Sequence, residues 1–418
     1  MANPPQRIID DNRAGFGSAS NHYRSWVVMR QADKADVVIV GAGISGAASA
    51  YELAAAGLSV VLVDRYGPAA MASGWTLAGV RQSGRHPAEL PLAREAVRLW
   101  QDLAERLEAP THYRRGGNLR LARTPGEWVA VAQLVQEQSA AGLDLSLLDA
   151  QQVAQLAPAV SPLVLGGSYC PSDGHADPHA TVQAFVDAAV RAGAQTRFGE
   201  AVFSIDVANG RVTGVTTDKG RIAAGRVILA AGVFGNTLLQ PLGLAVPMQV
   251  RAVTVIRTAP VAPMLEQVLG VASADCAGRQ EVTGRLRFTG ASSDWTGEME
   301  DGARPRVRPA AGSVAGTITL FGSVLPAALD APVDEIWAGL IDQTPDVLPV
   351  LQSVPDPAGL VIAMGFSGHG FCLGPVTGRI AAAMAQDLPV DLPIEPFALT
   401  RFDRWNAPAN APTAGLHG

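Results

Sequence analysis

A cluster of glycines near the start of the chain, followed by an acid, has the residue types and spacing of a nucleotide-binding turn. The run Gly41, Ala42, Gly43, Ile44, Ser45, Gly46 follows the apolar stretch 36–40, and Asp64 ends the apolar stretch 59–63. In such a turn the first glycine allows a sharp bend, the second lets the backbone approach a pyrophosphate, and the third lets the helix pack on the sheet. Asp64 would accept hydrogen bonds from ribose hydroxyls. The pattern predicts a dinucleotide site and does not by itself distinguish FAD from NAD.

A strand–helix–strand unit must position these residues. The stretches 36–40 and 59–63 are continuous apolar runs, as in strands buried on both faces. The small-residue segment between them, which ends at Gly57, predicts a helix whose N-terminus faces the phosphates. Farther along, the stretch 226–232 predicts another buried strand that runs into a glycine turn.

Composition limits the class of protein. The chain has 418 residues, 48% of them hydrophobic and 17% charged, which predicts a globular protein of two domains. The net charge of −6 disfavours nucleic acid as a partner. Every apolar run is shorter than a membrane-spanning helix requires, so we expect no membrane span.

The three cysteines are widely spaced and form neither a metal-binding pattern nor a disulfide framework, which favours a reducing cytoplasm. We expect no metal site, because the histidines of the segment 175–179 have no further ligands near them. The first 33 residues lack the apolar core of a secretory signal, and the folded part is expected to begin near Lys34. The charged segment 298–309 predicts a surface loop.

At this point the chain resembles the FAD-dependent D-amino-acid oxidase superfamily. That superfamily includes glycine oxidase, sarcosine oxidase and the β subunits of heteromeric sarcosine oxidase, opine oxidase or dehydrogenase, and D-hydroxyproline dehydrogenase. The similar segments are VVIVGAGISGAASAYELAAAGLSVVLVDR (37–65), ASGWTLAGVRQSGRHPAEL (72–90), CPSDGHADPHA (170–180), RVILAAG (226–232), WAGLIDQTPDVLPVL (337–351) and GFSGHGF (365–371). They occur in the family's order, and the segment 72–90 is most similar to the heteromeric β subunits.

The resemblance implies an α/β fold in which a Rossmann-like FAD-binding domain carries an inserted antiparallel-sheet substrate domain. The expected FAD-binding domain comprises residues 34–90, 160–245 and 346–404. The expected substrate domain comprises residues 91–159 and 246–345. Residues 1–33 and 405–418 would then be an N-terminal extension and a C-terminal tail.

The resemblance also implies that four parts of the chain hold FAD. The first unit contributes Gly41, Gly43, Ile44, Ser45, Gly46, Asp64 and Arg65. The loop that would wrap the flavin contributes Ala72, Ser73, Gly74, Thr76, Leu77 and Ala78. The middle of the chain contributes Val202, Ala230, Ala231 and Gly232, and the C-terminal part contributes Gly368, His369, Gly370, Phe371 and Cys372.

In this family the glycine-rich segment 365–378 would lie against the flavin ring. Its glycines let main-chain atoms approach a flat cofactor without a Cβ clash. A strand over 360–364 precedes it, and Pro375 predicts a helix over 376–386 with the proline in its first turn. The N-terminus of that helix would stabilise the negative charge of the reduced flavin.

Family members oxidise a C–N bond next to a carboxylate. Hydride passes from the α-carbon to flavin N5, and water hydrolyses the imine that forms. Arg81 and Arg85 follow the flavin-wrapping loop, and an arginine suits bidentate contact with a carboxylate, so we expect at least one of them to hold the substrate. Gln82 and Trp75 are expected neighbours. His369 would contact flavin or substrate, or else pack within its own loop.

Two further arginines, Arg120 and Arg287, lie on alternating strand-like runs of the expected substrate domain. One of them could face the cavity, but the pattern favours a solvated strand face for both.

Four positions depart from the family's pattern. A carboxylate-binding arginine of glycine oxidase corresponds to Ile341, and a lysine of monomeric sarcosine oxidase corresponds to Cys372. The cysteine that links FAD covalently in the latter enzyme corresponds to Gly339. The histidine that links FMN in heteromeric β subunits corresponds to Pro178, next to His179. FAD is therefore expected to be bound non-covalently. Whether FMN also binds at a subunit interface stays open. The substrate of neither relative can be inferred for this chain.

These residues together predict an FAD-dependent enzyme that oxidises a secondary or D-configured amino acid of the opine, D-hydroxyproline or sarcosine type. The resemblance implies a catalytic β subunit whose partners are an α subunit and a small iron–sulfur subunit. Two alternatives stay open, namely a free-standing oxidase that uses O₂ and a subunit that binds FAD only for electron relay.

Overall fold

The computed structural model describes residues 33–403. The expected C-terminal tail, 405–418, and all but the last residue of the expected N-terminal extension, 1–33, lie outside this range. Every segment that carries the family resemblance, from 37 to 371, lies within it.

Eighteen strands and ten helices make up the described part. The strands are β1 (Lys34–Val40), β2 (Val60–Asp64), β3 (Gly79–Val80), β4 (Asn118–Ala122), β5 (Ser146–Asp149), β6 (Gly166–Cys170), β7 (Gly174–His175), β8 (Gln195–Phe198), β9 (Val202–Ala208), β10 (Arg211–Thr217), β11 (Gly220–Leu229), β12 (Gln249–Pro260), β13 (Val268–Val271), β14 (Ala277–Gln280), β15 (Arg285–Asp294), β16 (Val333–Gln343), β17 (Val350–Val354) and β18 (Leu360–Met364). The helices are α1 (Ile44–Ala55), α2 (Ala72–Trp75), α3 (Leu90–Trp100), α4 (Leu103–Arg106), α5 (Pro125–Ala140), α6 (Ala150–Leu156), α7 (Pro178–Arg191), α8 (Gly235–Leu239), α9 (Ala311–Val324) and α10 (Gly370–Ala385). Short 3₁₀ helices lie at Gly232–Phe234, Gln240–Leu242, Pro326–Leu329, Glu395–Phe397 and Leu399–Phe402.

The first sheet has the order β17-β18-β11-β1-β2-β8, and β10 and β9 extend it from β11. Strands β18, β11, β1, β2 and β8 run parallel to one another, which explains why β1 and β2 are continuous apolar runs. Helices α1 and α10 pack side by side on this sheet. Glycines allow the close approach of the two helices, because a Cβ on Gly378 would lie 2.5 Å from the Cβ of Ala48.

The second sheet has the order β16-β12-β15-β14-β13-β4-β6-β5, and all of its pairs are antiparallel except β13 with β4. Helix α9 covers one face, where the rings of Phe288 and Phe321 stack with centroids 4.6 Å apart. A core of aliphatic and aromatic side chains therefore lies under α9, and the strand residues that point away from it are available to line a site.

The expected fold class, a Rossmann-like α/β part combined with a largely antiparallel sheet, is confirmed. The division into domains by residue number stays a proposal. It grouped residues 160–170 with the first sheet, whereas β6 pairs with β4 and β5 of the second sheet.

The helix expected over 376–386 is corrected by the structure. Helix α10 begins at Gly370, so Pro375 lies inside the helix and not in its first turn. Phe371 packs in the first turn against Trp100, with ring centroids 5.2 Å apart, and this contact holds the glycine-rich start of the helix. The helix N-terminus consequently lies within the segment expected to be a loop.

The segment 298–309 contains no helix or strand, as expected of a loop. Tyr66 donates a hydrogen bond to Asp301 over 2.8 Å, so this loop lies against the end of β2. Of the described helices, none combines the length and the apolar character needed to cross a membrane. Within residues 33–403, no cluster of three or more His, Cys, Asp or Glu side chains is arranged to hold a metal ion.

Candidate functional site

One large cavity extends from the start of α1 to the uncovered face of the second sheet. It encloses about 2160 Å³ of space free of protein atoms, including its open mouth. The first sheet contributes the ends of β1, β2 and β11, and the second sheet contributes residues of β4, β12, β13, β15 and β16. Both predicted ends of the site, the nucleotide turn and the segment 368–371, line this one cavity.

The turn between β1 and α1 has the backbone that its glycines predict. Gly41 has a φ of +108°, which favours glycine. A Cβ on Gly46 would lie 1.9 Å from the carbonyl oxygen of Gly41, so only glycine allows the helix to approach the strand. A Cβ on Gly43 would instead meet only the hydroxyl of Ser73, at 3.1 Å, and Gly43 lines the cavity. Gly43 thus keeps the cavity open for a ligand.

Helix α1 presents a free N-terminus to this cavity. Its first turn contains no acidic residue, and its N-cap residue, Gly43, has no side chain that could cap it. The hydroxyl of Ser73 accepts the N–H of Ile44 over 2.9 Å, and the residues on either side, Gly43 and Ser45, line the cavity. A helix N-terminus of this kind attracts phosphate through its N–H groups and its dipole.

Asp64 and Arg65 lie at the end of β2, beside this turn. The carboxylate of Asp64 accepts the backbone N–H groups of Ala42, Tyr66 and Gly67 at 2.7 to 2.8 Å. Burial raises the pKa of Asp64 although these hydrogen bonds oppose the rise. The guanidinium of Arg65 lies over the ring of Phe234, 5.5 Å from its centroid.

Two buried arginines of the second sheet hold the loop that follows α2. Arg279 donates from Nε to the carbonyl of Leu77, and Arg287 donates from Nη1 to the carbonyl of Thr76 over 2.9 Å. Glu281 lies between the arginines, 3.1 Å from Arg287 and 3.8 Å from Arg279. The loop that lines the cavity is therefore tied to the second sheet through charged side chains.

The position of Arg287 overturns the expectation of a solvated strand face. Its exposed fraction is 3%. Arg120 is only partly exposed and lines the cavity. The alternating pattern identified which residues share a face, but it could not identify that the loop after α2 and the cavity cover that face.

The segment between β18 and α10 turns sharply at three residues with left-handed backbone. The φ values are +71° at Gly365, +54° at Ser367 and +88° at Gly368. Asp342 fastens the turn, because its carboxylate accepts the N–H of Gly365 over 2.8 Å. Burial raises the pKa of Asp342 to about 6. Helix α10 then begins at Gly370 without a side-chain cap, so a second free helix N-terminus faces the cavity.

His369 is paired with an acid that the sequence reasoning did not identify. Its Nδ1 lies 2.9 Å from Oε2 of Glu89, a side chain with no exposed surface, and Nη1 of Arg85 lies 3.6 Å from the other carboxylate oxygen. Burial alone would raise the pKa of Glu89, but His369 and then Arg85 outweigh it and lower that pKa to about 2. Burial and Arg85 lower the pKa of His369 to about 4.

The lowered pKa values of Glu89 and His369 fix the tautomer of His369 at neutral pH. An ionised Glu89 only accepts hydrogen bonds, so Nδ1 of a neutral imidazole must donate to it. The lone pair then lies on Nε2, which makes no hydrogen bond to any described residue. Since His369 lines the cavity, this lone pair is available to a ligand.

Arg81 lies beside this pair and is almost completely buried. Its guanidinium donates to the carbonyl of Ser83, and its backbone N–H is held by the thiol of Cys372 over 3.2 Å. Burial and the neighbouring charges of Arg85 and Arg120 lower the pKa of Arg81. The site thus concentrates positive charge next to His369.

The cavity brings together twenty of the predicted site residues. They are Gly41, Gly43, Ile44, Ser45, Asp64, Arg65, Ala72, Ser73, Thr76, Leu77, Arg81, Arg85, Val202, Ala230, Ala231, Gly232, Gly368, His369, Gly370 and Phe371.

Five predicted residues lie behind the cavity wall. Gly46 packs on Gly41, and a Cβ on Gly74 would lie 2.0 Å from the carbonyl of Ala69. Ala78 is fully buried. The amide of Gln82 donates to the hydroxyl of Ser172 over 2.6 Å, and Cys372 contacts the backbone of Arg81. These residues shape the wall and do not form its surface.

The residues that the sequence reasoning missed are Glu89, Asn118, Arg279 and Asp342. A polar residue in an apolar segment was the available signal for Asp342, which interrupts WAGLIDQ. Glu89 lies in the segment 72–90 that carries the family resemblance, but its partner is distant in the chain, and no local pattern indicates such a pair.

Comparison with known proteins agrees with this geometry. Residues 36–384 match the family described as FAD dependent oxidoreductase (DAO). Glycine oxidase of Geobacillus kaustophilus is 28% identical over 377 residues, which cover 88% of this chain and 97% of that protein. Sarcosine oxidase subunit beta of Arthrobacter sp is 27% identical over 385 residues, which cover 88% of this chain and 91% of that one.

The fold is also that of a solved structure. The crystal structure of glycine oxidase from Geobacillus kaustophilus superimposes with a TM-score of 0.83 at 24% sequence identity, over 88% of this chain and 99% of that chain.

The cavity fits FAD. An uncapped helix N-terminus with a glycine at the point of approach suits the pyrophosphate, and a second free N-terminus, that of α10, suits a flavin that gains negative charge. Since the match covers most of the chain and the cavity offers these features, the chain belongs to the DAO family of FAD-dependent oxidoreductases.

Proposed function

We propose that the protein oxidises the C–N bond of a secondary or D-configured amino acid, of the opine, D-hydroxyproline or sarcosine type. The observation that carries the proposal is the arrangement of Arg85, Glu89 and His369 at one wall of the cavity. It places the guanidinium of Arg85, which lines the cavity and is paired with Glu89, next to a neutral imidazole. Two relatives are named for glycine and sarcosine, both of which combine an amine and a carboxylate.

FAD would be held by the residues that surround the cavity. We assign the pyrophosphate to the N–H groups of Gly43 and Ser45, and the ribose to Asp64. The flavin ring would lie between the loop 72–77 and the segment 368–371. Both segments line the cavity, and the carboxylate of Asp64 has lone pairs beyond those that its backbone donors use.

When bound, FAD accepts the hydride that leaves the substrate carbon, and water hydrolyses the resulting imine. The substrate carboxylate would be held by Arg81 and Arg85 through charge-assisted hydrogen bonds. This contact fixes the direction of the C–H bond, because the carboxylate and the amine are attached to the same carbon.

His369 is assigned to the amine. The lone pair of Nε2 would accept a hydrogen bond from the substrate N–H, and Glu89 keeps the ring in the required tautomer. The nearby guanidinium groups disfavour a protonated amine, because like charges in a buried site repel. The amine proton would pass to water before hydride leaves, so that the nitrogen lone pair can form the C=N bond.

We further propose that the chain is the catalytic β subunit of a hetero-oligomer. Its partners would be an α subunit and a small iron–sulfur subunit that accepts the electrons. The similarity to sarcosine oxidase subunit beta over 91% of that protein supports this role. A free-standing oxidase is the alternative; it would purify alone, and air would re-oxidise its flavin at each turnover.

Anaerobic reduction of the holoenzyme tests the proposal. Sarcosine, D-proline, cis-4-hydroxy-D-proline, octopine, nopaline and glycine are added in turn, and the visible flavin band is followed. We expect at least one of them to bleach it, and readmission of air to show whether oxygen re-oxidises the flavin. A yellow protein that none of them bleaches would contradict amino-acid oxidation and favour an electron-relay subunit.

The arginine assignment has a matched control. Replacing Arg85 with methionine should raise KM about 10- to 100-fold while FAD stays bound, since hydrogen bonds to charged groups are worth about 1.5 to 3 kcal/mol. Arg94→Met removes an exposed arginine of α3 that donates to Ala141 and Gly142, and it should leave KM unchanged. Equal kinetics in the two variants would remove Arg85 from the site.

A further inference from the structure

Arg120 projects from β4 into the same end of the cavity as Arg81. A Cβ placed on Gly84 would lie 2.4 Å from Nη2 of Arg120 and 2.9 Å from Nη1 of Arg81. The two guanidinium groups are therefore close neighbours on either side of Gly84. Asn118, two residues earlier on β4, is 6% exposed and lines the same wall.

The side chain of Arg120 has no hydrogen bond and no ion pair within residues 33–403. Other arginines in or next to the second sheet have acidic partners. Arg123, three residues along, contacts Glu127 at 2.7 Å and Asp275 at 2.8 Å. Arg279 and Arg287 share Glu281. Arg120 thus faces the cavity without a hydrogen bond or an ion pair.

The charges around Arg120 do not balance. Three guanidinium groups, those of Arg81, Arg85 and Arg120, face two acids. Glu89 is ionised, and the second acid, Asp173, accepts hydrogen bonds from the backbone of Gln82 and from the N–H and hydroxyl of Ser83. At least one positive charge is therefore left over among these five side chains. Burial, and then the charge of Arg85, accordingly lower the pKa of Arg120 to about 10.

An amino acid with a single carboxylate leaves Arg120 without a partner, because Arg81 and Arg85 would hold that carboxylate. A secondary amine with two carboxylates brings a second anionic group, which can reach the guanidinium that the first one does not use. Arginine suits this role because its planar fork binds a carboxylate through two hydrogen bonds.

We propose that Arg120 binds a second carboxylate of the substrate, so that the substrate class is a secondary amine flanked by two carboxylate-bearing arms. This inference rests on the proposed function, and it selects among the amino acids considered there. Arg81 and Arg85 hold the carboxylate next to the oxidised carbon. Arg120 and Asn118 hold the one on the other arm.

Inert sulfur analogues test the inference without turnover. Thiodiacetate has two carboxylates and (methylthio)acetate has one, and neither carries an oxidisable C–N bond. Each is titrated into the FAD-loaded protein, and the dissociation constant is read from the shift of the visible flavin spectrum. We expect thiodiacetate to bind at least about 10-fold more tightly, as one charge-assisted contact allows.

Variants of Arg120 then show whether this residue causes the preference for thiodiacetate over (methylthio)acetate. Arg120→Met should abolish the higher affinity for thiodiacetate, while (methylthio)acetate binds within about 3-fold of its affinity for wild type. Arg120→Lys keeps the charge and should retain part of the higher affinity for thiodiacetate. Arg115→Met, an exposed arginine five residues earlier, should keep the full advantage. The flavin spectrum of each variant checks that it is folded and loaded.

The outcomes separate this inference from the proposed function. Equal affinities for the two analogues in wild type, or an advantage that survives in Arg120→Met, would overturn the role of Arg120 and leave amino-acid oxidation intact. A flavin that responds to neither analogue, and that no amino acid bleaches, would overturn both.

Discussion

Glu89 and His369 are 280 positions apart in the chain, and their side chains meet with Oε2 and Nδ1 only 2.9 Å apart. The contact joins the residue just before α3 to the residue just before α10, and it lies at the wall of the cavity that fits FAD. Arg85 completes the group from the opposite side of the carboxylate. Glu89, supported by Arg85, thus holds the imidazole of His369 in a buried site.

Replacing Glu89 with glutamine should destabilise the protein, because it leaves Arg85 buried without its counter-charge. Breaking a buried charge pair costs about 3 to 5 kcal/mol in the free energy of unfolding. The measurement is urea unfolding at a fixed excess of FAD. Glu95→Gln is the control on the same region of the chain, since Glu95 pairs with the largely exposed Arg98 and should cost less than about 1 kcal/mol. Equal losses in the two variants would contradict a buried charge pair at Glu89.

His369 should make the fold sensitive to acid. Its folded pKa of about 4 lies below its ordinary value of 6.5, so the unfolded chain takes up a proton first as the pH falls. The contribution of His369 to the free energy of unfolding is therefore fully present above about pH 6.5. It is lost as the pH falls towards 4, by up to about 3 kcal/mol. Arg85, Arg81 and Glu89 are the charged groups that face the ring. Unfolding measured from pH 7 to pH 4 should show a shallower fall in His369→Asn, and an unchanged slope would contradict the assignment.

Replacing two glycines of the nucleotide turn should have different effects, one on FAD affinity and the other on stability. Gly43→Ala places a methyl group in the cavity, where it meets only the hydroxyl of Ser73, so the apoprotein should keep its stability while FAD affinity falls about 10-fold or more. Gly46→Ala places a methyl group against the carbonyl of Gly41 and should destabilise the fold itself. Gly225→Ala, whose methyl group would meet nothing within 4 Å, is the control. FAD affinity retained in Gly43→Ala would contradict a pyrophosphate at this turn.

The nucleotide turn could be predicted from the sequence because most of what determines it is local. Gly46 packs on the carbonyl of Gly41 and Asp64 accepts the N–H of Ala42, both inside one strand–helix–strand unit, whereas the close approach of Gly41 to the backbone of Ala230 is a tertiary contact. Backbone sterics and apolar periodicity are sufficient to identify such a unit.

The other wall of the site could not be predicted, because tertiary contacts determine it. Glu89 depends on a histidine at the far end of the chain, and Arg287 is buried by a loop that lies 211 positions earlier. The start of α10 was missed for a related reason. A glycine-rich segment has low helix propensity, and tertiary contacts of the first turn of α10 with Trp100, namely the ring of Phe371 and the carbonyl of Cys372, lie outside any local pattern.

Arg279 should be needed for FAD binding although it belongs to the second sheet. It is 1% exposed, and it ties the carbonyl of Leu77 and the Nδ1 atom of His175 to β14. Arg279→Met would leave both groups without this donor and loosen the loop that lines the cavity. We expect FAD affinity to fall about 10-fold or more, with a loss of about 3 kcal/mol in the free energy of unfolding.

Arg285→Met is the matched control for this variant. Arg285 lies on the adjacent strand β15 and pairs with the partly exposed Asp334, so its loss should cost less than about 1 kcal/mol and leave FAD affinity within about 3-fold. Fluorescence titration of each folded apoprotein with FAD gives the affinity. If Arg279→Met is destabilised but binds FAD as tightly as Arg285→Met, Arg279 supports only the fold. If its affinity falls at a temperature where both variants are folded, the position of the loop at Leu77 depends on Arg279, since the carbonyl of Leu77 has no other side-chain donor among the described residues.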